Sequence, residues 1–157
     1  MNASEPQMDN TTWKRISERF QRWPEDAASP VEASEFARAM KGFEPNIDPD
    51  YRQFVLMYGG GFAGPNPIYG LRRTATMGII GGATTAPDIT RWFRSKRWPG
   101  VDEWLIFSID QGGNPVGFAK DQTVWLSDQN DFKQIVQIAS NFEDYLLKWC
   151  LGLRKVE

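Results

Sequence analysis

Four aspartates in turn-forming surroundings, Asp110, Asp121, Asp128 and Asp131, are the side chains whose type and spacing offer this chain a chemistry. Two carboxyls serve as general acid and general base when one of them sits in an apolar setting that raises its pKa, and Asp110 with Asp121 or Asp128 is the pair the spacing suggests. Gathered at one end of a sheet, the same four would instead attract the basic surface of a protein partner and speed encounter. A plainer use competes with both. Asp and Asn start turns and cap strands, and for each aspartate taken alone that is the commoner role. Phe62 joins them as a candidate contact: it is apolar in a glycine-rich turn and fits either an exposed anchor or a lid folded onto the core.

The rest of the composition narrows the field. Histidine is absent, which removes the commonest general base and the commonest transition-metal ligand. Cys/His zinc sites, Ser-His-Asp and Cys-His arrangements therefore cannot form, and an enzyme would have to work with carboxylates, Lys, Tyr or a hard oxygen-bound cation. The expectation is a protein without catalytic residues, metal or cofactor. One cysteine, Cys150, excludes an intramolecular disulfide and fits a reducing cytoplasm; its place in an apolar helical stripe reads as a small core hydrophobe. A net charge of −2 argues against a nucleic-acid partner. Arg91, Arg94, Lys96 and Arg97, interleaved with Trp92, Phe93 and Trp98, are superficially like a stacking surface for single strands, but a solvated basic helix face is the more economical reading. No apolar run is long enough for a membrane span, and the polar N-terminus has no signal pattern, so a soluble cytoplasmic protein is expected.

The elements that must hold these residues follow from periodicity. Residues 1–10 read as a loose leader and residues 11–157 as one domain. Trp13, Ile16, Phe20 and Trp23 recur at helical spacing up to Pro24. Ser29-Pro30-Val31-Glu32 spells a capping box, predicting a second helix with Pro30 in its first turn and a stop at Gly42. Asp48-Pro49-Asp50 opens a third helix that Gly59 closes. Glycines 59, 61 and 64 spell G-x-G-x-x-G, yet they follow a helix and run into Pro65, the wrong context for a dinucleotide site. Residues 67–71 are the likeliest strand of this glycine-rich middle, and Ala86-Pro87-Asp88 opens a fourth helix. Residues 103–125 pack three strand signals and two turns together: a run from Trp104 to Ile109 apolar on both faces, a second strand led by Pro115, and a third at Thr123 to Leu126. Phe132, Ile135, Val136 and Ile138 suggest a fourth. Ser140-Asn141-Phe142-Glu143 starts a last helix whose Phe142, Tyr145, Leu146, Trp149, Cys150 and Leu153 form one buried stripe. This order predicts an α+β fold, a mainly antiparallel sheet of about four to six strands packed against helices.

The helix phrase Pro49-Asp50-Tyr51 ending in Gly59-Gly60-Gly61, the apolar strand running into the Asp110, Gly112, Gly113 hairpin, and the Ser140-Asn141-Phe142-Glu143-Asp144-Tyr145-Leu146 helix start resemble, in that order, the SUKH superfamily. That group includes the Smi/Knr-type cell-wall regulators of fungi and many bacterial immunity proteins, and the resemblance spans about residues 30–153. It implies an intracellular antitoxin that binds and neutralises a cognate protein toxin, often a nuclease or deaminase. Phe62, Asp110, Asp121, Asp128 and Asp131 would then lie on or near a partner-binding mouth formed by the Gly59 to Gly64 turn, the Asp110 to Asn114 hairpin and the loop after Trp125. A regulatory or scaffold protein-binding domain is the alternative, and a small carboxylate-dependent enzyme a second.

Overall fold

The computed structural model describes residues 5–130 and 133–151. Helix α1 (Asn10–Arg22) starts within the stretch read as a leader. The residues before it are tied down, with the N–H groups of Gln7 and Met8 donating to Asp50 Oδ1 at 2.8 and 2.9 Å and Met8 buried. Ile16 and Phe20 of α1 reach the core, where the Phe20 ring meets Tyr58 edge-on at 4.7 Å. Trp23, expected in that stripe, lies just past the helix end and is 41% exposed.

Helix α2 (Ala33–Ala39) begins three residues later than the Pro30 start predicted by the capping box. Tertiary pairing explains the delay: Ala28 N donates to the Gly60 carbonyl and Val31 N to the Leu56 carbonyl, holding the segment extended against the next helix. Helix α3 (Pro49–Tyr58) has the predicted ends. Asp48 Oδ1 accepts from Asp50 N at 2.8 Å, and Gly59 closes the helix in the left-handed region at φ 77°. Only glycine fits there, because an added Cβ would lie 2.0 Å from the Ser29 carbonyl oxygen.

Residues 67–71 do not form a strand, contrary to expectation. Ile68 bridges Gly61, Tyr69 N donates to the Phe107 carbonyl, and Leu71 N to the Gly59 carbonyl, so the segment divides its hydrogen bonds between two neighbours and completes no ladder. Helix α4 (Ala86–Ser95) opens at a Thr85 cap, and its Thr90 hydroxyl accepts from Ile106 N at 2.8 Å.

The sheet is an antiparallel meander in the order β1-β2-β3-β4, made of Leu105–Ile109, Pro115–Phe118, Val124–Asp128 and Gln134–Ala139. With five helices around it this is the α+β class predicted. Pro115 leads β2, where no ladder N–H is required. On one face Tyr51 of α3 sits among Phe107, Phe118 and Phe142 with ring centroids 5.2 to 5.6 Å away, and Phe107 stacks on Phe118 at 4.1 Å. Such ring pairs add roughly 0.5–1.5 kcal/mol each beyond the area they bury. On the other face Trp104 covers Gly117, and Trp98 donates to the Ser127 carbonyl at 3.1 Å.

The described residues close with α5 (Phe142–Tyr145) and a π turn (Leu146–Cys150). The cap is Asn141, one residue beyond the predicted Ser140, and its side chain accepts from Asp144 N while Asp144 reaches back to Ser140 N. A second tie comes from Asp48, whose Oδ2 accepts from Phe142 N at 2.9 Å, so one buried carboxylate serves the starts of α3 and α5 together. Burial pushes this carboxyl above its ordinary range, although the N–H groups of Phe142, Asp50 and Tyr51 pull it down. The wider π turn rotates Trp149 out of the predicted stripe to 40% exposure. Leu153 of that stripe, like Phe132, is outside the described residues.

Candidate functional site

An antiparallel meander alternates its turns between the two ends of the sheet, which decides which aspartates meet. Asp110 and Asp128 flank turns at one end, whereas Asp121 lies in the β2–β3 turn at the opposite end. Asp110 and Asp121 therefore cannot act as an acid and base pair, and the four-carboxylate patch is not assembled as expected; Asp131 is outside the described residues. Each of the three described aspartates accepts the backbone N–H two residues ahead: Gly112 for Asp110 at 2.9 Å, Thr123 for Asp121 at 3.1 Å, Asn130 for Asp128 at 3.0 Å. The Thr123 hydroxyl also donates to Asp121, and with the N–H it holds that carboxyl below its usual range. Turn formation thus accounts for all three.

At the Asp110 end the two hairpins are cross-tied. Buried Asn114 donates to Asp110 Oδ2 at 3.2 Å and accepts from Gln129 N at 3.1 Å, while Asn130 Nδ2 donates to the Gly112 carbonyl at 2.8 Å. This rigid end borders an open groove of about 300 Å3. Its floor is Val116, Leu126 and Ile138 of β2, β3 and β4, its wall is Tyr145 and Trp149, and Asn66, Asp110 and Gln111 stand on the rim. Val116 and Leu126 are register partners and so share a face. Ile138 occupies a register slip in β4, and its carbonyl accepts the Trp149 indole N–H at 3.1 Å. Tyr145 donates to Ser108 Oγ at 3.2 Å, and Ser108 donates to the Pro67 carbonyl at 2.6 Å. Burial pushes the Tyr145 phenol far above its ordinary range, so it serves as a fixed wall and not as a base.

Phe62 lies between the two positions foreseen for it. It is half-buried against the core, with its N–H on the Asp26 carbonyl at 2.8 Å and its carbonyl accepting from Arg19 Nε at 2.7 Å. Cys150 is half-buried as a residue, yet its thiol is shielded enough to be pushed up to about 12. The basic stretch on α4 is no stacking platform: Phe93 is buried between Trp92 and Trp98, and Arg94 donates to the Trp104 carbonyl at 2.8 Å.

A second carboxylate cluster lies at the starts of α3 and α5, where Glu5, Asp48, Asp50 and Glu143 line one recess. Asp48, Asp50 and Glu143 accept backbone N–H groups there, and Glu143 Oε2 also takes the Thr12 hydroxyl at 2.7 Å. Among the described residues, no group of three or more His, Cys, Asp or Glu side chains is placed to hold a metal ion. Likewise, no helix of the described residues is long and apolar enough to cross a membrane.

Sequence reading missed the groove residues Asn66, Gln111, Leu126, Ile138 and Trp149. The alternation of β3 and β4 carried a signal for the floor, but Trp149 was concealed by its helical spacing from Tyr145, which a π turn breaks. No match was found among curated proteins. Residues 30–148, from the strand-like approach to α2 through most of the π turn, match the SMI1 / KNR4 family (SUKH-1). That segment holds the whole sheet, the helices α2 to α5 and the groove apart from Trp149, and the chain belongs to the SMI1 / KNR4 family.

Proposed function

We propose that this chain is an immunity protein that binds and neutralises a cognate toxin domain in the cytoplasm, without catalytic turnover or a cofactor. Family membership supports a protein partner. The observation that carries the reading is the groove: a preformed apolar floor between the cross-tied hairpins and Trp149. Exposed apolar clefts of this kind bordered by polar groups mark recognition sites, and tryptophan is enriched among residues that dominate binding energy. Asp110 on the rim supplies negative charge that suits the basic active-site surface of a nuclease. Asp110 and Asp128 are turn formers at the groove end, so their influence on a partner is electrostatic and not chemical, Asp121 lies at the far end of the sheet, and Asp131 and Phe62 are proposed as further contacts.

The test is co-expression with any toxin domain found encoded beside this gene. The expected result is rescued growth and a stable purified complex, abolished by Leu126→Asp together with Trp149→Ala in a protein that still folds. Rescue by the groove variant would overturn the assignment of the site, and a purified chain that converts a substrate would overturn the binding reading.

A further inference from the structure

Helix α1 lies outside the family-matched segment and carries Arg15, Arg19 and Arg22 along one face, a span of about 10 Å at 1.5 Å per residue. These side chains, Trp23 and the Cys150–Leu151 corner line a second cavity of about 260 Å3, with Glu18 on its border. The site is built from both sides. Arg15 Nη2 donates to the Leu151 carbonyl at 2.9 Å, and Arg19 donates to the Phe62 carbonyl at 2.7 Å and to Asp26 at 3.1 Å. Arg19 and Arg22 both lie over the Trp23 ring, 5.2 and 4.9 Å from its centroid, and that ring is among the most exposed large apolar groups described. A guanidinium parked on an indole is oriented but keeps its in-plane donors for a ligand.

We infer that this arginine groove receives an acidic segment of a protein partner, with Arg15 and Arg22 on its carboxylates and Trp23 against its aliphatic stems. Charge selects that occupant. Arg15 and Arg22, two turns apart, match two carboxylates, and a planar guanidinium grips a carboxylate through paired N–H groups. Glu18 on the border and Asp26 on Arg19 reduce the positive surplus, which suits a short acidic segment and not the continuous phosphate track of a nucleic acid. Position supports it as well. Ala63 and Cys150 line this cavity while Pro65 and Trp149 line the sheet groove, and between them Gly64 is pressed on Cys150 so closely that an added Cβ would lie 2.3 Å from its carbonyl oxygen. One ridge therefore separates an apolar groove with an acidic rim from a basic one. The inference goes beyond the immunity reading, since it rests on α1 and holds whatever partner occupies the sheet.

The experiment titrates the full chain, isotopically labelled, with a synthetic hexaglutamate peptide and follows the amide, arginine Nε and indole signals by NMR. Saturable shifts are expected at Arg15, Arg22 and the Trp23 indole, weakening as salt rises from about 50 to about 200 mM. Arg22→Glu, at an exposed position, is expected to weaken binding about tenfold with the fold intact, and Arg15→Glu with Arg22→Glu to abolish it. Leu126→Asp with Trp149→Ala should leave the peptide affinity unchanged, which separates this site from the toxin groove. Absence of saturable shifts at Trp23, an affinity unchanged in Arg22→Glu, or shifts that persist in the double variant would overturn the inference. Tighter binding of an oligothymidylate of equal charge would overturn it in favour of nucleic acid.

Discussion

The inner and outer halves of the sheet share one ladder and have opposite surroundings. All residues of β1 and β2 are buried except half-buried Ile109, whereas β3 buries only Val124 and Ser127, and β4 only Ala139. The free edge of β1 is also closed, by the Tyr69 N–H on the Phe107 carbonyl and by Thr90 on Ile106 N. On β4 the Ile138 carbonyl is held by the Trp149 indole N–H. Burial at β1 and β2 supplies stability, and that leaves β3, β4 and Trp149 available for recognition. Under the proposed function, stability rests mainly on β1 and β2 and binding mainly on β3, β4 and Trp149, and each can be broken separately.

The largest expected effect is on the inner half. Phe107→Ala removes a ring that stacks on Phe118 and meets Tyr51, Phe142 and Tyr145; it should cost about 3–5 kcal/mol in urea unfolding. A loss below about 1 kcal/mol would place the centre of stability elsewhere. Asp48→Ala removes two helix-start bonds and should cost about 2 kcal/mol at roughly 1 kcal/mol per cap. That carboxyl also sets a pH dependence. Because its folded pKa is raised, its contribution to stability is full below the unfolded pKa and is lost as pH rises through the folded value. Asp48→Asn should remove this fall, measured as the difference between the two proteins across the acid range.

Smaller effects test the outer half. Trp149→Ala should change stability by about 1 kcal/mol or less, the scale of one net hydrogen bond. The same variant should weaken toxin binding by about 2 kcal/mol, roughly 30-fold. Cys150 should resist alkylation at pH 8 in the folded protein and react once unfolded, since a thiol pushed up to about 12 is ionised there on the order of one part in ten thousand. Rapid labelling of the folded chain would show that the C-terminal turn opens. Asp121→Asn, at the far end of the sheet, should stay within about 0.5 kcal/mol in stability and leave binding unchanged.

Much of the inner half was legible from residue order alone, because local signals and tertiary packing agree there. The doubly apolar run from Trp104 to Ile109, Pro115 at a strand start and the Asp48 to Gly59 helix are each written in a few adjacent residues. Where distant groups compete for the backbone, local reading failed: the extended pairing of Ala28 and Val31 delays α2, and residues 67–71 bond to two neighbours at once. The candidate site was legible only in outline. The expected mouth included the Asp110 hairpin, which borders the groove, but the sidedness of Asp121 depends on counting meander turns, and Trp149 depends on a π turn that helical spacing cannot announce.

The most direct test of this division of labour is calorimetric titration of the proposed cognate toxin domain into three forms of the protein. The double variant Leu126→Ala, Trp149→Ala should bind at least about 30-fold more weakly than the unaltered chain while Asp121→Asn binds as tightly. Equal affinity for the double variant and the unaltered chain, or a loss confined to Asp121→Asn, would contradict the account.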